Sequence, residues 1–220
     1  MGAAARTRRR SSKAASSGPL TSLNYSFADG KPPGTVDVIV TAGAQPSVIS
    51  GVALREGAMS SGSSGGYNSH AVLPHSMAIT ASISVTVTVG SLDSAANNRA
   101  VGPGVFSPDG SSGIYVRFAS ASSTASLITW NGTTESTRAS LGSQVANTGD
   151  TITLTGTLSG GVWTWKVKKN SGSDIAGLTW PDSGHAVDLP GSKPGVAFRH
   201  QYSGSNFYSR GVTNITAAAA

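Results

Sequence analysis

From Ile79 to Gly90 the chain reads Ile-Thr-Ala-Ser-Ile-Ser-Val-Thr-Val-Thr-Val-Gly. Ile79, Ala81, Ile83, Val85, Val87 and Val89 share one parity, and hydroxyl side chains take the other. Successive side chains of a strand point to opposite faces, so this segment has an apolar face and a hydroxyl face. A helix would scatter the same six apolar residues around its circumference. β-branched residues also favour a pleated surface over a helix. The stretch predicts a long strand packed on one side and wet on the other.

The same pattern recurs along the chain. Leu23, Tyr25 and Phe27 alternate before the turn residues Asp29-Gly30, and Val36, Val38 and Val40 alternate next. Val48 to Leu54, Val101 to Phe106, Ile114 to Phe118 and Leu127 to Trp130 continue the series. Ile152 and Leu154 precede Ser159-Gly160-Gly161, and Trp163, Trp165 and Val167 follow it as the second arm of a hairpin. Val196 to Phe198 and Phe207 to Ile215 close the domain. Pro108-Asp109-Gly110 and Asn131-Gly132 have turn chemistry. Gly57 to Tyr67 is so rich in Gly and Ser that a loop is expected. About a dozen short strands without helices predict an all-β, two-sheet antiparallel sandwich of jelly-roll size, larger than an immunoglobulin-type domain.

Composition sharpens this. Only 12% of the 220 residues are charged, and there is no cysteine, which rules out disulfides, thiolate metal sites and cysteine nucleophiles. The net charge of +6 is concentrated: Arg6, Arg8, Arg9, Arg10 and Lys13 sit in an Ala/Arg/Ser-rich segment without an acid. Of the 16 basic residues the rest of the chain keeps 11, against 10 acidic. Residues 1–19 therefore read as a basic arm, 20–216 as the sandwich and 217–220 as a short Ala tail. The arm is either a solvated tail or a segment that orders against neighbouring subunits or an anionic partner such as nucleic acid. It lacks the apolar stretch of a signal peptide, and no run of roughly 18 apolar residues suggests a membrane helix. Asn24, Asn131 and Asn214 head glycosylation sequons; without a secretory signal they read as chance matches.

Several segments resemble the concanavalin A-like, laminin-G-type jelly roll. They are Gly149-Asp150-Thr151-Ile152-Thr153-Leu154, Gly161-Val162-Trp163-Thr164-Trp165-Lys166-Val167, Pro194-Gly195-Val196-Ala197-Phe198 and the strand from Asn206-Phe207-Tyr208 to Ile215. Phe27-Ala28-Asp29-Gly30 is similar to the opening of such domains in actinobacteriophage minor tail proteins. The resemblance spans roughly Leu20 to Thr216. It implies a bacteriophage virion protein made in the host cytoplasm, a homo-oligomer that assembles with other virion proteins, or a lectin-like module for host cell-wall glycan. A capsid decoration protein is a third reading, its arm touching nucleic acid or the acidic shell.

The chemistry-bearing residues favour binding over catalysis. Glycoside hydrolysis generally needs two carboxyls flanking the bond. The glucanases that share this fold carry a Glu-x-Asp-x-x-Glu strand, which this chain lacks; Glu56 and Glu135 read as isolated residues in polar, loop-like context. No nucleophile elbow is present. His70 and His75 flank Pro74, and they, His185 and His200 are expected to be surface or hydrogen-bonded loop residues, not metal ligands. Asp93, Asn97 and Asn98 lack an EF-hand spacing. No catalytic residue, metal or cofactor is therefore assigned. Trp163 and Trp165 share parity and read as core. Trp130 beside Asn131-Gly132, with Tyr202 and Tyr208 near Asn206, is expected to be exposed. Aromatic faces there would stack on a sugar ring while Asn131 and Asn206 bond its hydroxyls.

Overall fold

The computed structural model describes residues 18–27, 37–40, 47–49, 53–55, 66–90, 100–119, 123–132, 134–184, 189, 191–201 and 211–220. The basic arm, Glu56, His185, the Asp93–Asn98 segment and most of the Gly57–Tyr67 stretch lie outside them. Fifteen strands form the described fold. They are β1 (Ser22–Ser26), β2 (Asp37–Val40), β3 (Ser47–Ile49), β4 (Ala53–Arg55), β5 (Gly66–Val72), β6 (Ser82–Val89), β7 (Ala100–Phe106) and β8 (Gly113–Ala119). Then come β9 (Thr124–Trp130), β10 (Glu135–Leu141), β11 (Thr151–Ser159), β12 (Val162–Lys169), β13 (Asp174–Asp182), β14 (Lys193–Gln201) and β15 (Val212–Ala219).

The strands build two antiparallel sheets. One is eight-stranded, in the order β13-β12-β11-β6-β15-β4-β3, with β1 also paired to β15. The other is seven-stranded, in the order β10-β9-β8-β7-β14-β5-β2. No helix occurs among the described residues, and the all-β, two-sheet jelly roll is the architecture the alternation predicts.

β6 holds the centre of the larger sheet, with Val87 opposite both Ile152 and Ile215. Ile83, Val85, Val87 and Val89 are buried. They meet Val101, Val105, Ile114, Val116, Phe118 and Leu127 from the other sheet in one core. Full burial of an aliphatic side chain stabilises by about 1.5–3 kcal/mol, so this one face carries much of the sandwich. On the opposite face Thr86 and Thr153 hydroxyls meet at 2.8 Å across β6 and β11. Trp163 and Trp165 stack in the core with ring centroids 6.0 Å apart.

Several boundaries differ from the sequence reading. β6 begins at Ser82, not Ile79, because the amides of Thr80, Ala81 and Ser82 all donate to the Ala220 carbonyl. Ala81 is accordingly exposed and Ile79 only partly buried. The alanines expected to form a tail are part of the fold. Ala217 is buried, paired with Leu23 of β1 on one side and Val85 of β6 on the other. Val48 to Leu54 is not one strand but the antiparallel pair β3 and β4. Gly66 and Tyr67, expected in a loop, start β5.

β10 and β13 are strands the alternation did not reveal. Both are edge strands, with mostly exposed side chains, so neither needs a continuous apolar face. Turn chemistry is observed where it was read. Gly160 and Gly161 adopt φ of +59° and +78°, the left-handed pair of a two-residue hairpin. Asn131 Oδ1 accepts from the Thr134 amide at 2.8 Å in the β9–β10 turn.

Candidate functional site

The seven-stranded sheet carries a second apolar cluster on the face turned away from the core: Val72, Phe106, Tyr115, Ile128, Trp130 and Ala197. Strand parity explains it. On β8, Ile114, Val116 and Phe118 point inward, so Tyr115 and Arg117 point outward; on β9, Leu127 points inward and Ile128 and Trp130 outward. Phe106 lies on a bed of glycine. A Cβ at Gly104, Gly113 or Gly195 would come within 2.7, 2.5 or 3.0 Å of its ring carbons.

His70 sits in this cluster. Its ring centroid is 4.7 Å from Tyr115, 5.0 Å from Phe106 and 5.7 Å from Trp130. It is fully buried, and neither ring nitrogen has a hydrogen-bond partner among the described residues. The surface or loop position expected of His70 is therefore incorrect: it is a strand residue of β5 whose parity turns it into the aromatic cluster. Burial, helped by the Arg117 charge, lowers its pKa to about 3, so the imidazole is neutral at ordinary pH. His75 is exposed, as expected.

Beside the histidine, Arg117 reaches across β9 to Glu135 of β10. Its two terminal nitrogens donate to the two carboxylate oxygens at 2.9 and 2.8 Å. The Tyr115 hydroxyl donates to Oε1 of the same carboxylate. Burial raises the Tyr115 pKa above the usual phenol value, with the Glu135 charge and hydrogen bond adding to the rise against the pull of Arg117 and Arg199. Glu135 is thus not an isolated loop residue. Its partners lie two strands away, a relation that sequence spacing does not expose.

Two depressions flank this network. One, of about 160 Å³, is lined by Thr129, Trp130, Asn131, Thr134, Ser136 and Arg138. Arg138 Nε donates to Thr129 Oγ1 at 2.8 Å, and its guanidinium lies 4.9 Å over the Trp180 ring. The other, of about 230 Å³, is lined by Ala100, Arg117, Ala119, Thr124, Ser126 and Arg199.

Trp130 and Asn131 are neighbours on the smaller depression, but Trp130 is only 5% exposed. The open stacking platform expected there is absent because Trp130 shares its face with Tyr115 and Ile128 and packs into their cluster. Asn131 is exposed. Tyr202, Asn206 and Tyr208 lie outside the described residues, as do Arg6, Arg8, Arg9, Arg10 and Lys13. Sequence reasoning missed His70, Tyr115, Arg117, Thr129, Ser136, Arg138 and Arg199 as site residues. One signal was present: an arginine inside the apolar run Ile114 to Phe118 must find a partner when that strand is buried. No group of three or more His, Asp or Glu that could hold a metal ion is assembled among the described residues.

No protein-family model matches the chain, and neither does any curated protein. Solved structures do. The Emp47p carbohydrate recognition domain superimposes with a TM-score of 0.56 at 12% identity, over 89% of this chain and 94% of that one. Lectin II from Ulex europaeus gives 0.52 at 12%, over 92% and 99%. Bacillus licheniformis β-glucanase gives 0.54 at 10%, over 93% and 100%. The chain is a concanavalin A-like jelly roll of the kind those proteins share. At such identities the likeness fixes the fold, and sites on one fold serve many ends.

Proposed function

We propose that this chain is a non-enzymatic bacteriophage virion protein of the minor-tail type whose sandwich binds glycan on the host surface. The observation that carries the binding role is the depression at the β9–β10 turn. It brings the exposed Asn131, Thr134, Ser136 and Arg138 together around Thr129, at the strand end that carries the buried Trp130. A few convergent polar groups in a depression are what fix the orientation of a sugar's hydroxyls. The named functions of the superimposed lectin and carbohydrate recognition domain agree with this use.

A binding role without hydrolysis is supported by Glu135. Its carboxylate is held by Arg117 and Tyr115, and no carboxylate is among the described residues that line either depression. Both stereochemical routes of glycoside hydrolysis ordinarily use a carboxyl pair. The virion assignment rests on the sequence resemblance and on the arm carrying Arg6, Arg8, Arg9, Arg10 and Lys13, which would lodge against neighbouring subunits. Repetition on a symmetric particle then turns weak single-site binding into firm attachment.

The test is binding of the purified protein to host cell-wall polysaccharide fractions, together with an assay for released reducing ends. Binding without release, weakened by Arg138→Ala and Ser136→Ala, is the expected result. Trp130→Ala alone would not be informative, because it also empties part of a packed cluster. Release of reducing ends would overturn the non-enzymatic reading. Particles assembled normally from a chain lacking residues 1–17 would overturn the role given to the arm.

A further inference from the structure

We infer that the larger depression, at the other end of β9, is a seat for an oxyanion carried on the glycan, either a carboxylate or a phosphate. This rests on the glycan-binding reading above and names the class of glycan. The strand register builds the seat. Arg199 of β14 stands opposite Ala100 of β7, Ala100 opposite Ala119 of β8, and Ala119 opposite Thr124 of β9. Four neighbouring strands thus present Arg, Ala, Ala and Thr in one row. Three strand spacings of roughly 4.8 Å put the arginine and threonine backbones roughly 14 Å apart, with only two methyl groups between them. The next row supplies Arg117 opposite Ser126. The result is a notch of about 230 Å³ with a small apolar floor and a rim of two guanidiniums and two hydroxyls.

The charges in this notch do not cancel. Arg117 is 6% exposed and committed to Glu135, which fixes its plane. Arg199 is exposed, and among the described residues it has no ion-pair partner and no carboxylate lines the notch. One positive charge is therefore left over where a ligand would enter. A guanidinium is a planar fork of donors that matches a carboxylate or phosphate, and the Ser126 hydroxyl, 3.2 Å from that of Ser140, lies in the same notch. A neutral sugar needs acceptors as well as donors, and the charged groups here supply donors alone.

The experiment is titration of the full chain with three polysaccharides: a neutral glucan, a polyuronate and a polyol-phosphate polymer. Each is measured with wild type, Arg199→Gln and Ser126→Ala, at low and high salt. At least one acidic polymer should bind about tenfold tighter than the neutral one, and Arg199→Gln should remove that advantage, the scale of one charge-assisted hydrogen bond. High salt should do the same in wild type. Which acidic polymer responds tells carboxylate from phosphate. Equal binding of neutral and acidic polymers, or acidic binding untouched by Arg199→Gln, would overturn the oxyanion seat while leaving glycan binding intact. No binding to any host wall fraction or to these polymers would overturn both. Arg199 is exposed, so an unchanged melting temperature of Arg199→Gln separates lost binding from lost fold.

Discussion

Arg117 and Glu135 grip each other over the top of an intervening strand, β9, with both guanidinium ends engaged at 2.9 and 2.8 Å. Their side chains are 7% and 20% exposed, so the pair is largely removed from water. Removing one partner from such a pair strands the other charge, at a cost of about 3 kcal/mol or more. Glu135→Ala should therefore lower the urea midpoint strongly, and it also leaves the Tyr115 hydroxyl without its acceptor. The double variant Arg117→Met/Glu135→Met should recover most of the loss, because apolar replacements leave no buried charge. A denaturation cycle over the two singles and the double checks this. A double variant no more stable than Glu135→Ala would show that the pair matters for packing alone.

His70 makes stability depend on mild acid. Its folded pKa is lowered from 6.5 to about 3, so the unfolded chain takes up a proton that the folded chain refuses. The contribution is fully present above pH 6.5 and is lost as pH falls from there toward about 3. The slope is at most about 1.4 kcal/mol per pH unit. Thermal melts of wild type at pH 7, 6 and 5 should fall along this slope. In His70→Leu, of similar volume, the fall should flatten, and at pH 7 the variant should be close to wild type in stability. The two unpartnered ring nitrogens carry a desolvation cost that leucine does not. Parallel acid profiles for the two proteins would refute the assignment.

What the sequence discloses, and what it hides, follows from how far apart the interacting residues lie. β6 is legible because its whole signal is local: the alternation of Ile83, Val85, Val87 and Val89 needs no knowledge of the partner. The hairpin at Gly160-Gly161 and the turn at Asn131-Gly132 are legible for the same reason. β10 and β13 are hidden because edge strands leave side chains in water and so relax the alternation. The site is hidden more deeply. Glu135 looks solitary until Arg117, 18 residues earlier, is seen to face it from two strands away. Trp130 looks exposed beside a turn until His70 of β5 and Tyr115 of β8 are found on its face. Parity could assign each of these residues to a face, but the order of strands in the sheet decided which of them meet.

Gly156 offers a test of the core. It pairs with Trp165 across β11 and β12, and a Cβ placed on it would lie 2.7 Å from the indole ring. Trp165 is fully buried and stacked on Trp163, so it has little room to retreat. Overpacking of this kind costs about 1–3 kcal/mol. Gly156→Ala should lower the melting temperature and perturb the near-ultraviolet circular dichroism of the tryptophans. Gly142→Ala serves as the control: its Cβ would meet nothing within 4 Å, so both signals should stay unchanged.

Asp150 gives the Gly-Asp sequence before β11 its physical meaning. Gly149 turns the chain with φ +88°, and the Asp150 carboxylate then ties three segments together. It accepts from the Asn147 amide at 2.7 Å and from Asn170 Nδ2 at 2.9 Å, and pairs with Lys169 Nζ at 3.0 Å. Burial alone would raise its pKa, but these hydrogen bonds and the Lys169 charge outweigh burial and hold it below the ordinary 3.8. A depressed carboxylate contributes stability above its unfolded value and loses it as pH falls through the folded one. Asp150→Asn should therefore cost about 1–2 kcal/mol at pH 7. The gap to wild type should persist at pH 5, where His70 already weakens both proteins, and close only below about pH 3.8. Urea titrations at pH 7, 5 and 3 separate the two groups. A gap that closes between pH 7 and 5 would place the acid-sensitive tie elsewhere than at this turn.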